Sequence, residues 1–249
     1  LEAPWGMAQL TFFADGAKVS TPPLSISELI AYATKNPGRV SYPAPPDFHG
    51  TTFLKQVLYE SVQDPGVFAK PGDDAEFKKY EDLWASSLDE LHNVSWREGK
   101  QFPKSQADVT NMVADGELNI GITFNPNEPA NLVAAGRMPA SAVAWQHRAG
   151  TIGNTHFVAI PANASAKAAA QVFANFLLSP EAQAKKNDLK VWGDPTVLAI
   201  SKLVSTDAEL FAASTAPGSV TLPAPALLEP HASWVGLLEG AWLKRYGKG

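Results

Sequence analysis

Several short segments of this chain place glycines beside side chains that donate and accept hydrogen bonds. Asp47-Phe-His-Gly-Thr-Thr52 leads straight into an apolar helical pattern. A helix N-terminus presents unpaired N–H groups and partial positive charge. Gly50 lets a ligand approach the backbone, and Thr51 and Thr52 add hydroxyl donors. The same turn also reads as a plain cap, with Asp47 or Thr51 as acceptor. Thr123-Phe-Asn-Pro-Asn-Glu128 ends a predicted strand, and in open α/β sheets ligands sit beyond the carboxyl ends of strands. Asn125 and Asn127 each offer donors and an acceptor, which suits a polar organic ligand. An Asn-Pro turn that bonds its own side chains is the competing reading. Glu128 either binds a cationic group or caps the next helix. In Thr151-Ile-Gly-Asn-Thr-His156, Gly153 permits close backbone approach, and Asn154 and Thr155 can reach a ligand. His156 reads as a cleft residue or as a satisfied core histidine. Trp5, in Pro4-Trp5-Gly6, offers an indole face that stacks and attracts cations, or simply packs in a core.

Other chemistry is excluded. The chain has no cysteine, so disulfides, thiolate metal sites and cysteine nucleophiles are ruled out together. Its histidines lack metal spacing such as H-E-x-x-H. There is no G-x-S-x-G elbow and no glycine-rich phosphate loop. Trp145, His147 and Arg148 read as a solvated loop. Trp84, Trp234 and Trp242 fall on apolar helical faces and read as core. Net charge is -5 over 249 residues, with the signs interspersed, which argues against nucleic acid. A composition 45% hydrophobic and 18% charged is globular. No apolar run is long enough to span a bilayer. The first residues lack the basic and apolar regions of a signal peptide, as expected of a mature secreted chain.

The elements that must position these residues alternate between strand and helix. Residues 4–13 read as a strand. Ser25-Ile-Ser-Glu28 is a capping box for a helix that Pro37-Gly38 stops. Arg39–Tyr42 reads as a short strand, and a helix starts near Gly50 with Phe53, Leu54, Val57 and Leu58 facing inward. Residues 65–73 read as a loop. Phe77, Tyr80, Leu83, Trp84, Leu88 and Leu91 keep helical spacing over 74–91. Ser105 caps a helix that Gly116 ends, and 118–124 is a buried strand. Helices follow at 166–177 and 180–187, then a helical stretch at 195–213, a proline-rich loop at 216–230, and a closing helix at 233–246. This alternation predicts an α/β fold.

The run Gly150-Thr-Ile-Gly-Asn-Thr-His-Phe-Val-Ala-Ile-Pro161, the Ala-rich helix after it and Leu178-Ser-Pro-Glu-Ala-Gln183 resemble the return crossover of the family 1 extracellular solute-binding proteins of ABC importers. Pro4-Trp-Gly-Met7, Tyr42-Pro-Ala-Pro-Pro-Asp-Phe-His-Gly-Thr-Thr-Phe53 and Gly116-Glu-Leu-Asn-Ile-Gly-Ile-Thr-Phe-Asn-Pro-Asn127 agree with it, in the family's order. The resemblance implies a type II periplasmic-binding-protein fold, two α/β lobes with the ligand between them. On it, 1–12 is the first crossover and 13–152 an essentially complete second lobe. Residues 153–191 are the return crossover with helices of the first lobe, and 192–249 pack back on the second. Most of the first lobe is then absent. The helices at 166–177 and 180–187 should show an uncovered apolar face that a homodimer or a separate N-terminal fragment covers.

The resemblance further implies a periplasmic or membrane-tethered extracellular protein. It captures a small polar organic ligand and delivers it to an ABC permease, without enzyme activity, cofactor or metal. Its ligand-binding residues would be Trp5, Asp47, Thr51, Thr52, Asn125, Asn127 and Asn154, with Thr51, Asn125 and Asn154 converging on one cleft. A cationic or amphoteric ligand fits the asparagines, tryptophan and carboxylate, whereas an oxyanion fits the helix N-terminus alone. Two other readings stay open. One is a non-cysteine enzyme on this fold using Asp47 and Glu128. The other is an oxyanion or metal-ion carrier, for which the tyrosine pair of iron-binding relatives is missing.

Overall fold

A computed structural model describes residues 2–188, 191–211, 218–220 and 224–247. The fold is mixed α/β, and the described residues form two small sheets. In the first, β2 (Thr11–Asp15) lies between β3 (Ile120–Thr123) and β4 (Ala142–Trp145), antiparallel to both. Phe12, Phe13, Ile120 and Ile122 bury both faces of this sheet, so its strands read as continuous apolar runs rather than alternating ones. In the second, β1 (Glu2–Gln9) pairs antiparallel with β5 (Thr151–Ala159), which meets β6 (Ala226–Leu227) in parallel at Thr151 and Ile152. Leu10 joins the sheets, its N–H bonded to the Ile152 carbonyl at 2.8 Å.

Helices α1 (Ile26–Lys35), α2 (Phe48–Glu60), α3 (Asp74–Val94), α4 (Gln106–Ala114) and α5 (Glu128–Ala134) surround the first sheet. The side chains of Ser25, Asp47, Asp73 and Ser105 cap α1 to α4. Glu28 completes the Ser25 cap by accepting from Leu24 N–H, one residue before the cap. Gly116, at φ +76, ends α4, a conformation that glycine adopts without a Cβ penalty. The α9 helix (Ser233–Tyr246) packs on α2 and α3, and Trp234, Leu238 and Trp242 join the core built around Trp84, Leu88 and Phe68.

Helices α6 (Lys167–Leu177) and α7 (Pro180–Asn187) follow β5, and α8 (Ser205–Glu209) precedes the C-terminal segment. Among the described residues of α6 none is buried. Val172, Phe173 and Phe176 stand mainly in solvent, Val172 at 71%.

Several expectations fail. Leu83 is 55% exposed, because α3 turns Phe77, Trp84, Leu88 and Leu91 inward and Leu83 points about 100° away from Trp84. Residues 195–211 hold only a short 3-10 turn, Ile200–Lys202, and α8. Ile200, Val204 and Leu210 stand exposed, and a helix with so little packed surface does not propagate. Residues 212 and 213 lie outside the described residues, as do 216–217 and 221–223 of the proline-rich loop. At 39–42 only an isolated bridge forms, Val40 beside Ile120. Trp145 and His147 are buried rather than solvated. The indole donates to the Pro23 carbonyl at 2.7 Å, and the imidazole stacks on Phe12 and bonds Glu60 at 2.6 Å.

Candidate functional site

The antiparallel register brings Thr123 opposite Thr11 and Trp145 opposite Phe12. The carboxyl ends of β3 and β4 therefore share one edge with the point where β1 hands over to β2. A cavity of about 340 Å³ opens there, lined by Met7 and Gln9 of β1, Asn127, Gln146, Thr196 and Ser219 among others. It is built by the chain's passages between the two sheets and by the turn after β3. That turn is ordered from within. The Thr123 hydroxyl accepts from Asn125 N–H at 3.0 Å, and Asn125 Oδ1 accepts from Asn127 N–H at 2.9 Å. The Asn127 carboxamide bonds Gly193 and Ser219. Glu128, on the first turn of α5, has its pKa raised by burial, against a smaller pull from Arg137.

The α2 N-terminus lies beside this turn. Asp47 Oδ1 accepts from His49 and Gly50 N–H at 2.9 and 3.2 Å, so its carboxylate serves the cap. Gly50 is not a ligand approach: a Cβ there would stand 2.1 Å from the Pro43 carbonyl oxygen, and backbone packing fills the space. Gly153 is likewise filled, by Ala226. The Thr52 hydroxyl bonds the Phe48 carbonyl at 2.8 Å within the helix. Phe48 is 53% exposed, and its ring meets Phe124 at 4.8 Å, with His49 at 5.1 Å from the same ring. Burial holds the His49 pKa below its usual value, and Asp47 opposes this.

One turn further along, Thr51 and Lys55 share a face of α2. Thr51 donates to Glu239 of α9 at 2.5 Å. Lys55, nearly buried, bonds Glu229 at 2.7 Å, and the other Glu229 oxygen accepts from Asn154 at 3.0 Å. Tyr59, close to Glu229, is pushed up to about 12, mainly by burial. Thr51 and Asn154 thus both turn toward carboxylates, Glu239 on α9 and Glu229 shortly before it. Asn125 and Asn127 sit at the end of β3, and the Phe48–Phe124 contact links the two groups. Trp5 stands apart, at the bulge between Pro4 and Gly6. Its ring lies 5.9 Å from Trp192 and 5.4 Å from Lys186 Nζ. His156 is exposed on β5 and is no core histidine.

Sequence reasoning missed Phe48, Phe124, Lys55, Glu229, Glu239 and Gln146. Two had a signal: Lys55 stands four residues after Thr51, and Phe124 directly follows a strand end. The glutamates had none, since their partners lie far away in the chain. Among the described residues no cluster of His, Asp and Glu has the makings of a metal site, and no helix is long and apolar enough to cross a membrane.

Comparison with known proteins follows the same lines. A family model described as bacterial extracellular solute-binding protein matches residues 2–212. Protein YnjB of Escherichia coli (strain K12) is 49% identical over 247 residues, covering 99% of this chain and 62% of that protein. This chain therefore spans less than two thirds of that relative's length. Among solved structures, a periplasmic thiamin binding protein matches with a TM-score of 0.57 at 17% identity, over 98% of this chain and 64% of that one. The spermidine/putrescine ABC transporter substrate-binding protein PotD from Streptococcus pneumoniae gives 0.61 at 15% identity, over 98% and 68%. The Atu4243-GABA receptor gives 0.58 at 14% identity, over 100% and 69%. Identities this low speak to the fold alone.

Proposed function

Because the chain belongs to the bacterial extracellular solute-binding proteins, we propose that it captures a small polar organic solute between two α/β bodies and delivers it to an ABC permease. Family and fold relatives are transport binding proteins rather than enzymes. The observation that carries the reading is the cavity where β1, the segment after α7 and the carboxyl ends of β3 and β4 meet. Concave sites with a few convergent polar groups are where small ligands bind, and closure about the connecting segments would seal this one.

On this reading 13–152 is one body, 153–191 belongs to the other, and 192–249 return to the first. Trp5, Asp47, Thr51, Thr52, Asn125, Asn127 and Asn154 remain the proposed site set; of them Asn127 lines this cavity, and the others would act from the segments around it. Phe48 and Phe124 join it as an aromatic platform. A cationic or amphoteric solute is favoured, since half-buried Glu239 is bonded to Thr51, one turn from Phe48, and half-buried Glu128 follows Phe124 in the chain, and ring faces attract cations. The relatives of similar fold named for thiamin and for spermidine/putrescine agree with it. The protein works outside the cytoplasmic membrane, and a second copy or further polypeptide covers the apolar face of α6.

Native mass spectrometry of the full-length protein, released from the periplasm without denaturation, tests the reading. A bound organic solute, then titrated calorimetrically, is the expected result. Turnover of that solute by the protein would replace capture with catalysis.

A further inference from the structure

Between α7 and α8 the chain passes the cavity as a segment without regular structure, Gly193 to Val197, whose Pro195 and Thr196 line it. The α7 helix grips this segment from one side. Gln183 is fully buried with its whole carboxamide engaged. Its Nε2 donates to the carbonyls of Trp5 at 3.1 Å and Leu177 at 2.9 Å, and its Oε1 accepts from the Thr196 hydroxyl at 3.0 Å and Val197 N–H at 3.1 Å. Lys186, one turn on and also buried, donates to Asp194 Oδ2 at 2.6 Å, to the Asp194 carbonyl at 3.2 Å and to the Pro195 carbonyl. The segment, where the chain starts back toward the first body, is thereby still fastened to the α6–α7 body.

From the other side the grip belongs to Asn127. Its Nδ2 donates to the Gly193 carbonyl at 2.6 Å, and its Oδ1 accepts from the Ser219 hydroxyl at 2.7 Å, with the residue 7% exposed. A carboxamide donates and accepts at once from two separate atoms and without charge. We infer that Asn127 is a positioning residue: it clamps the α6–α7 body against the β3–β2–β4 body, and does not itself bind solute. Opening of the cavity requires the Gly193 bond to break, so this carboxamide biases the angle between the bodies. The inference rests on the two-body capture reading.

The absence of cysteine from the chain allows paired spin labels without background. Asp115→Cys on one body and Gln171→Cys on the other are both exposed sites. Pulsed electron resonance on the full chain, without solute, should give one narrow distance distribution. Asn127→Asp sets a carboxylate oxygen against the Gly193 carbonyl and should broaden the distribution and move it by several ångströms, while thermal unfolding stays cooperative. An unchanged distribution overturns the clamp. If Asn127→Asp does not fold, Asn127→Ala decides by the same criterion. These distances need no solute, so a fruitless search for one by mass spectrometry bears on the capture reading alone.

Discussion

His92 shows how one buried side chain ties stability to pH. It packs among Tyr42, Phe102 and Tyr246 and bonds the Tyr42 hydroxyl at 2.8 Å. Burial lowers its pKa from 6.5 to about 4, despite Asp89. The fold therefore holds the neutral form. Its contribution is complete above the unfolded value and is lost as pH falls from about 6.5 to about 4, where the unfolded chain takes up the proton first. Roughly 3 kcal/mol is at stake. Urea midpoints over that pH window should fall steeply for the parent and more shallowly for His92→Gln. The Lys55–Glu229 pair makes a second case. Glu229→Ala leaves a nearly buried ammonium alone, a loss of roughly 3 kcal/mol, read from denaturant unfolding at neutral pH.

Among the elements, α3 and α6 behave oppositely. Trp84 is almost fully buried and its indole donates to the Leu54 carbonyl at 3.1 Å. Trp84→Ala should cost about 3–5 kcal/mol, measured by chemical denaturation. Phe176→Ser on α6 should change stability by no more than about 0.5 kcal/mol, yet reduce self-association in sedimentation equilibrium, because it interrupts an exposed apolar patch. Helices of this kind were legible in the sequence wherever local chemistry sufficed. The serines at 25 and 105 cap helices as read, and the Phe77, Trp84, Leu88, Leu91 spacing marks the inner face of α3. Burial of His147 was not legible, because Glu60 reaches it from a distant part of the chain. The glycines at 50 and 153 misled for a similar reason. A glycine announces that something comes close but does not say whether it is a ligand or the protein's own backbone. At the site, the residue types were readable and their partners were not.

At the scale of the whole molecule, Phe48→Ala tests the site as a unit. Phe48 is largely exposed, so its loss should leave unfolding nearly unchanged. On the capture reading it should weaken binding of the co-purified solute by about 1 kcal/mol or more if the ring stacks on it, as titration calorimetry would show. The pairing of β1 with β5 has a different kind of consequence. Glu2 meets Ala159 and Gln9 meets Gly153, so β1 waits for a partner that comes 144 to 157 residues later in the chain. Closing a loop of that length costs roughly 4 kcal/mol of chain entropy before any ladder bond forms. Structures that depend on such distant partners are slow to assemble. Pulsed hydrogen exchange during refolding should find amides of α3 protected early and those of β1 last. Until then β1, rich in apolar residues, travels without a mate. On the reading proposed above, in which the protein works outside the cytoplasmic membrane, this topology leaves the chain unpaired for longer before it folds.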